Sequence, residues 1–206
     1  MLQLVLETAK HARVIALSLP VSAMLSLAFA FPAAATRAVG PGKTYAAPCG
    51  AFAAAVAGDV IEIDARGTYR GDVCDIYASN LTIRGVNGRP KIDAAGANAM
   101  GKGTRVVAGN NVVIENVERF GAEVPDQNGA ALRLEGTNFT LRTSFLHDNE
   151  NGVLSGANTA SNIVIENSEF GPTATATATA KICISGTSPA LPSATIFRMM
   201  QTSAIT

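Results

Sequence analysis

The sequence has no cluster of lysine or arginine, and its sixteen basic and sixteen acidic side chains cancel to a formal charge of zero. A nucleic-acid binder needs a basic patch to neutralise phosphates, so nucleic acid is set aside as a partner. Zinc-ligand spacings, a Gly-x-Ser-x-Gly elbow, a phosphate-binding loop and a dinucleotide fingerprint are also missing, which removes the usual support for hydrolase and nucleotide chemistry. Charged residues make up only 16% of the chain against 48% hydrophobic, and that balance excludes a disordered class. Residues 172–206 contain no Asp or Glu at all, although all sixteen lie before them.

The N-terminal 35 residues have the order of a secretory leader. Lys10, His11 and Arg13 precede an apolar run from Val14 to Phe31, and Ala33-Ala34-Ala35 follows before Thr36. Residues 1–35 are expected to be a cleaved signal peptide; the alternative is an uncleaved anchor, because the run approaches the length of a membrane span. Pro20, Ser18, Ser22 and Ser26 interrupt the run and favour cleavage. The mature protein is then secreted or periplasmic, and free of the membrane. In that oxidising compartment Cys49 and Cys74, 25 residues apart, are expected to form a disulfide, with two buried free thiols as the alternative. Cys183 is given no role.

The mature part opens on an Ala-rich stretch with Pro48 at its start and Gly58 at its end, which predicts a short capping helix over Cys49–Val56. Val60-Ile61-Glu62-Ile63-Asp64 alternates as a first strand directly after it. Further along, four segments align: Asn80-Leu81-Thr82-Ile83-Arg84, Asn111-Val112-Val113-Ile114-Glu115, Asn138-Phe139-Thr140-Leu141-Arg142 and Asn162-Ile163-Val164-Ile165-Glu166. Their separations of 31, 27 and 24 residues each suffice for one coil of a β-solenoid with a loop of variable size. A second series, Leu132-Arg133-Leu134 and Val153-Leu154, repeats at 22 residues between Leu132 and Leu154, so each coil holds more than one strand.

Every position of the repeat has a physical reason. Leu81 and Ile83, with their counterparts, share a strand face and stack into a continuous core. Thr82, Val113, Thr140 and Val164 are β-branched and suit an outward stack. Asn tolerates a left-handed corner, and stacked Asn side chains can form a hydrogen-bonded ladder. Arg84, Glu115, Arg142 and Glu166 alternate in sign, which sets opposite charges above one another in a parallel register. The predicted fold is all-β: a right-handed parallel β-helix from about residue 58 to 171, with a short N-terminal capping helix.

Beyond Gly171 the character changes, with Thr-Ala repeated four times from Thr173 to Ala180. A low-complexity tail over 172–206 is one reading. The other is a frameshift product: Thr and Ala codons (ACN, GCN) read one base earlier become NAC and NGC, which include Asp and Gly codons. The same shift over Arg198–Thr206 permits a string of the His-Asp-Ala-Asn-Val-Gly-His-Asn type. On that reading the chain is a truncated β-helix with a bare last coil, prone to end-to-end self-association.

From Thr36 to Gly171 the chain resembles the right-handed parallel β-helix proteins of the pectate-lyase-like superfamily. The resemblance rests on the Ala-rich cap, Gly58-Asp59-Val60-Ile61-Glu62-Ile63 with Gly67-Thr68-Tyr69, Asn80-Leu81-Thr82-Ile83-Arg84-Gly85, and His147-Asp148-Asn149-Glu150-Asn151-Gly152. These are scaffold motifs, and the superfamily spans polysaccharide lyases, glycoside hydrolases, epimerases and non-catalytic adhesin-like proteins. The resemblance implies a polysaccharide in a groove on a strand face, a base that abstracts the proton α to a uronate carboxyl, and in many members Ca²⁺ held by carboxylates. Candidates are Arg119, Glu123 and Asp126 in the longest inter-strand loop, and His147, Asp148 and Glu150 in the next. Asp126, His147 and Asp148 are selected as catalytic candidates, since loops of adjacent coils would carry them. Each also has a structural reading, as a turn residue that satisfies corner backbone groups. A non-catalytic envelope or adhesin-like β-helix is the alternative to an enzyme.

Overall fold

The computed structural model describes residues 33–156 and 162–171, and the backbone of 182–183 and 197–199. The expected signal peptide falls almost wholly on residues 1–32, outside the described residues, as does most of the 172–206 tail. Among the described residues no helix is long and apolar enough to cross a membrane.

The chain folds as a parallel β-solenoid of about 5 turns with almost no helix. In chain order its elements are β1 (Thr36–Val39), α1 (Pro48–Ala53), β2 (Val60–Asp64), β3 (Tyr69–Arg70), β4 (Cys74–Ile76), β5 (Thr82–Val86), β6 (Lys91–Asp93), β7 (Arg105–Val107) and β8 (Val112–Glu115). They continue as β9 (Glu118–Phe120), β10 (Ala130–Leu134), β11 (Phe139–Arg142), β12 (Phe145–Leu146), β13 (Asn151–Ser155), β14 (Ile163–Phe170), β15 (Ile182–Cys183) and β16 (Phe197–Met199). Every third strand stacks. The first sheet runs β1-β2-β5-β8-β11-β14, the second β3-β6-β9-β12 and the end of β14, and the third β4-β7-β10-β13-β15. All the strand pairs are parallel, as coiling in one direction requires.

The first sheet has the expected register: Phe139 lies between Val112 and Ile163, and Leu141 between Ile114 and Ile165. These side chains and Leu81 and Ile83 are buried, while Thr82, Val113, Thr140 and Val164 are half-buried on the other face. Asn80, Asn111, Asn138 and Asn162 all take positive φ, between 54° and 58°. Asn111, Asn138 and Asn162 each donate from Nδ2 to the Oδ1 of the Asn one coil earlier, at 2.8, 2.8 and 2.7 Å. The charge column is in register but pairs in part: Arg142 meets Glu115 at 2.5 Å, while Arg84, set beside Glu115, bonds instead to Glu62 one coil earlier at 2.6 Å. A second left-handed corner, at Asn87, Asn116, Thr143 and Asn167, closes the other end of these strands.

The third sheet corrects one register. Leu132 pairs with Val153, and Arg133 with Leu154, so the repeat is one residue shorter than the spacing of the leucines suggested. A one-residue slip turns a side chain to the opposite face. Val153 is accordingly buried, and Leu154 is half-exposed beside the outward Arg133.

The N-terminal end is built from more than a helix. A strand, β1, precedes α1 and stacks on β2, so strand and helix together cover the first coil. The helix is also shorter than expected and starts one residue earlier, at Pro48, whose fixed φ suits a first helical position. Ala51 and Phe52 turn inward to the core. The Cys49–Cys74 disulfide ties α1 to β4. Asp59, wholly buried, accepts from Ala35 N at 2.8 Å, Val56 N at 2.9 Å and the Arg37 guanidinium, joining three segments.

At the other end the last coil is not bare. β15 pairs with β13, and β16 with β14, the latter with a register shift between Glu166 and Ser168. Unpaired N–H and C=O groups recruit any extended segment within reach, including one without a coil pattern.

Candidate functional site

Strand alternation decides what the second sheet shows to solvent. Ile92, Arg119 and Leu146 point inward and are buried. Their neighbours Lys91, Asp93, Glu118, Phe120, Phe145 and Glu169 therefore stand outward. Pairing sets Phe145 between Glu118 and Glu169, and Asp93 beside Phe120. His147 follows β12 immediately, and its N–H donates to Arg119 O at 3.2 Å, which keeps the chain in register through that residue.

The result is a ledge of three stacked rings. His147 lies 5.0 Å from Phe120 at 13° and 4.3 Å from Phe145 at 26°, centroid to centroid. Its edge nitrogens meet carboxylates: Nδ1 is 2.6 Å from Asp148 Oδ2, and Nε2 is 3.3 Å from Glu118 Oε1. Lys91 Nζ approaches the same Glu118 oxygen at 3.2 Å. A neutral imidazole donates to only one of two such carboxylates, and a protonated one to both. The imidazole is 15% exposed, so the ring edge stays within reach of solvent.

Phe120 also forms one wall of a cleft of about 350 Å³ that opens beside the ledge. Arg70, Arg89, Lys91 and Asp93 line it, and each cation meets a carboxylate: Arg70 with Asp93 at 3.4 Å, Arg89 with Glu169 at 3.8 Å and Lys91 with Glu118 at 3.2 Å. Its floor includes Gly67 and Tyr69. A Cβ at Gly67 would come within 2.2 Å of the Tyr69 hydroxyl, which donates to Asp64 O at 2.7 Å, so only glycine lets that ring lie flat. Burial raises the Tyr69 hydroxyl above its ordinary pKa and keeps it a donor, with the charges of Asp64 and Asp72 adding to the effect.

The expected catalytic residues separate into two places. His147 and Asp148 come together as described. Asp126 sits on an exposed turn and has no side-chain partner among the described residues. Asp148 also serves the corner, at φ 49°, while the buried Asn149 accepts from Ala122 N at 3.0 Å and donates to Arg119 O and His147 O. Glu150 clamps the loop, its Oε2 accepting from Val124 N at 3.1 Å and Gly129 N at 2.5 Å. Arg119 corrects its expected position: it lies in β9, not in a loop, and its buried side chain cannot act as a base on a surface substrate. Phe120, Phe145 and Glu118 were missed. The outward alternation of Glu118-Arg119-Phe120 and Phe145-Leu146-His147 carried that signal once the strands were assigned.

Ca²⁺ is not supported by these side chains. Among the described residues no group of three or more His, Cys, Asp or Glu is placed to hold a metal ion, Glu150 is committed to backbone donors, and Asp126 and Glu123 are exposed. Comparison with known proteins found no family model, no curated protein and no solved structure that matches this chain.

Proposed function

We propose that this is an exported β-helix that binds an acidic polysaccharide across the outer face of its second sheet. The observation that carries this reading is the continuity of the Phe120-His147-Phe145 ledge with the cleft lined by Arg70, Arg89 and Lys91. Aromatic faces offer a flat apolar platform for the C–H face of a sugar ring, and the cations suit uronate carboxylates. The Cys49–Cys74 disulfide is compatible with an extracellular or periplasmic setting, as the leader-like segment requires.

The position of His147 favours a second reading, a uronate lyase of pectate-lyase-like ancestry. There His147 is the base and Asp148 its orienting carboxylate; Asp126 enters only as a loop residue, since no contact joins it to them. Because Phe120 and Phe145 both stack on the imidazole and carboxylates meet both nitrogens, binding is the stronger claim.

Isothermal titration with polygalacturonate and with neutral dextran tests the proposal. Preferential, salt-sensitive binding of polygalacturonate is expected, weakened on the order of tenfold or more by F120A or F145A, as losing about 1.4 kcal/mol of stacking would do. Undiminished affinity in both variants would exclude the ledge. Release of an unsaturated product, followed by ultraviolet absorbance and lost in His147→Ala, would select the lyase.

A further inference from the structure

Two arginines point into the core of the solenoid from neighbouring coils, Arg105 from β7 and Arg119 from β9, and both are fully buried. Arg105 is anchored. Its Nη2 bonds the Asp72 carboxylate, its Nη1 donates to Asp72 O and, at 2.9 Å, to Thr104 O, and its guanidinium lies 5.3 Å from the Phe52 ring centroid. Its Nε has no acceptor among the described residues.

Arg119 has none at all: Nε, Nη1 and Nη2 are each buried without an acceptor among the described residues. The buried Thr104 hydroxyl is likewise unpartnered. Burial lowers Arg119 far below its ordinary pKa, the charge of Arg105 lowers it further, and Asp72 opposes both. Asp72 is bonded to Arg105, which leaves the Arg119 charge without a counter-ion among the described residues. A buried guanidinium with neither counter-charge nor acceptor is among the costliest arrangements a core can contain.

We propose that the core binds a small inorganic anion at the Arg119 guanidinium. A monovalent halide meets both requirements, many acceptor directions and one negative charge. Water accepts hydrogen bonds but leaves the charge, and it brings two protons that need acceptors of their own. With Arg119 0% exposed, a small ion suits the position better than an organic carboxylate.

The test uses the whole chain and chloride as the probe. Thermal melts in sodium chloride and sodium gluconate at matched ionic strength should show a saturable rise in Tm with chloride alone, on the order of 5 °C. Arg119→Met should abolish the chloride dependence. Equal melting in both salts, or the same chloride response in R119M, would overturn the site. Should R119M not fold, anomalous scattering from the unmodified protein grown in bromide decides: a peak within hydrogen-bond distance of Arg119 supports the proposal, and a core without one overturns it.

Discussion

Asp59 and Asp64 hold the first coil through charges that burial alone would neutralise. At Asp59 burial pushes the carboxyl up, but the N–H groups of Val56 and Ala35 and the Arg37 guanidinium outweigh it and leave the group below its ordinary value. Asp64 is lowered chiefly by the Arg66 guanidinium and Arg66 N–H, against burial, with Asn87 contributing. A carboxylate whose folded pKa lies below its unfolded value of about 3.9 contributes stability above that pH, and loses it as pH falls through the folded value. Urea midpoints should therefore stay level from about pH 8 to 5 and fall below about pH 4. Asp59→Asn should lower the midpoint at neutral pH, at a cost of roughly 1–3 kcal/mol, and narrow the difference between pH 7 and pH 3. An unchanged difference would mean that Asp59 does not report acid unfolding.

Among the elements, the cap depends most on a covalent tie. α1 has only six residues, no side-chain cap and no acidic residue in its first turn, so it has little stability of its own. The Cys49–Cys74 bridge closes a loop of 25 residues and should contribute about 3 kcal/mol in the chain-entropy model. Reduced protein, or the C49S/C74S double variant, should unfold at a correspondingly lower denaturant concentration. Equal midpoints with and without reductant would show that Phe52 and Ala51 hold the cap by packing alone. The ladder needs no such tie, since each Asn corner meets its neighbour at 2.7 to 2.8 Å and repeats the contact from coil to coil.

The molecule as a whole is a stack whose two ends differ. β1 and α1 close the N-terminal end, whereas among the described residues the short strands β15 and β16 follow β13 and β14. β16 pairs with three residues of β14, which spans eight, so much of that strand stays open among the described residues. Solenoids without an effective cap associate through such edges. Size-exclusion chromatography with light scattering should show a mass that grows with protein concentration, and replacing the outward Val164 of β14 by lysine should reduce that growth. A monodisperse monomer throughout the concentration series would show that residues after Gly171 cap the helix.

What the sequence determined by itself was whatever repeats. Four Asn-apolar-x-apolar segments recur because each coil poses the same steric problem, a left-handed corner followed by one buried face, and so the corners, core positions, ladder and charge column were legible from spacing alone. The Cys49–Cys74 pair was legible because the cap must lie against the first coil. The second and third sheets were less so. β3, β6, β9 and β12 are only two or three residues long, too short for alternation to separate a strand from a loop, and for that reason Arg119 was assigned to a surface loop instead of the core. Only the stacking of coils brought Phe120 onto His147, 27 residues on, and only it enclosed Arg119 in the core. A short strand takes its register from the neighbours it pairs with, so the face it shows to solvent is decided in three dimensions.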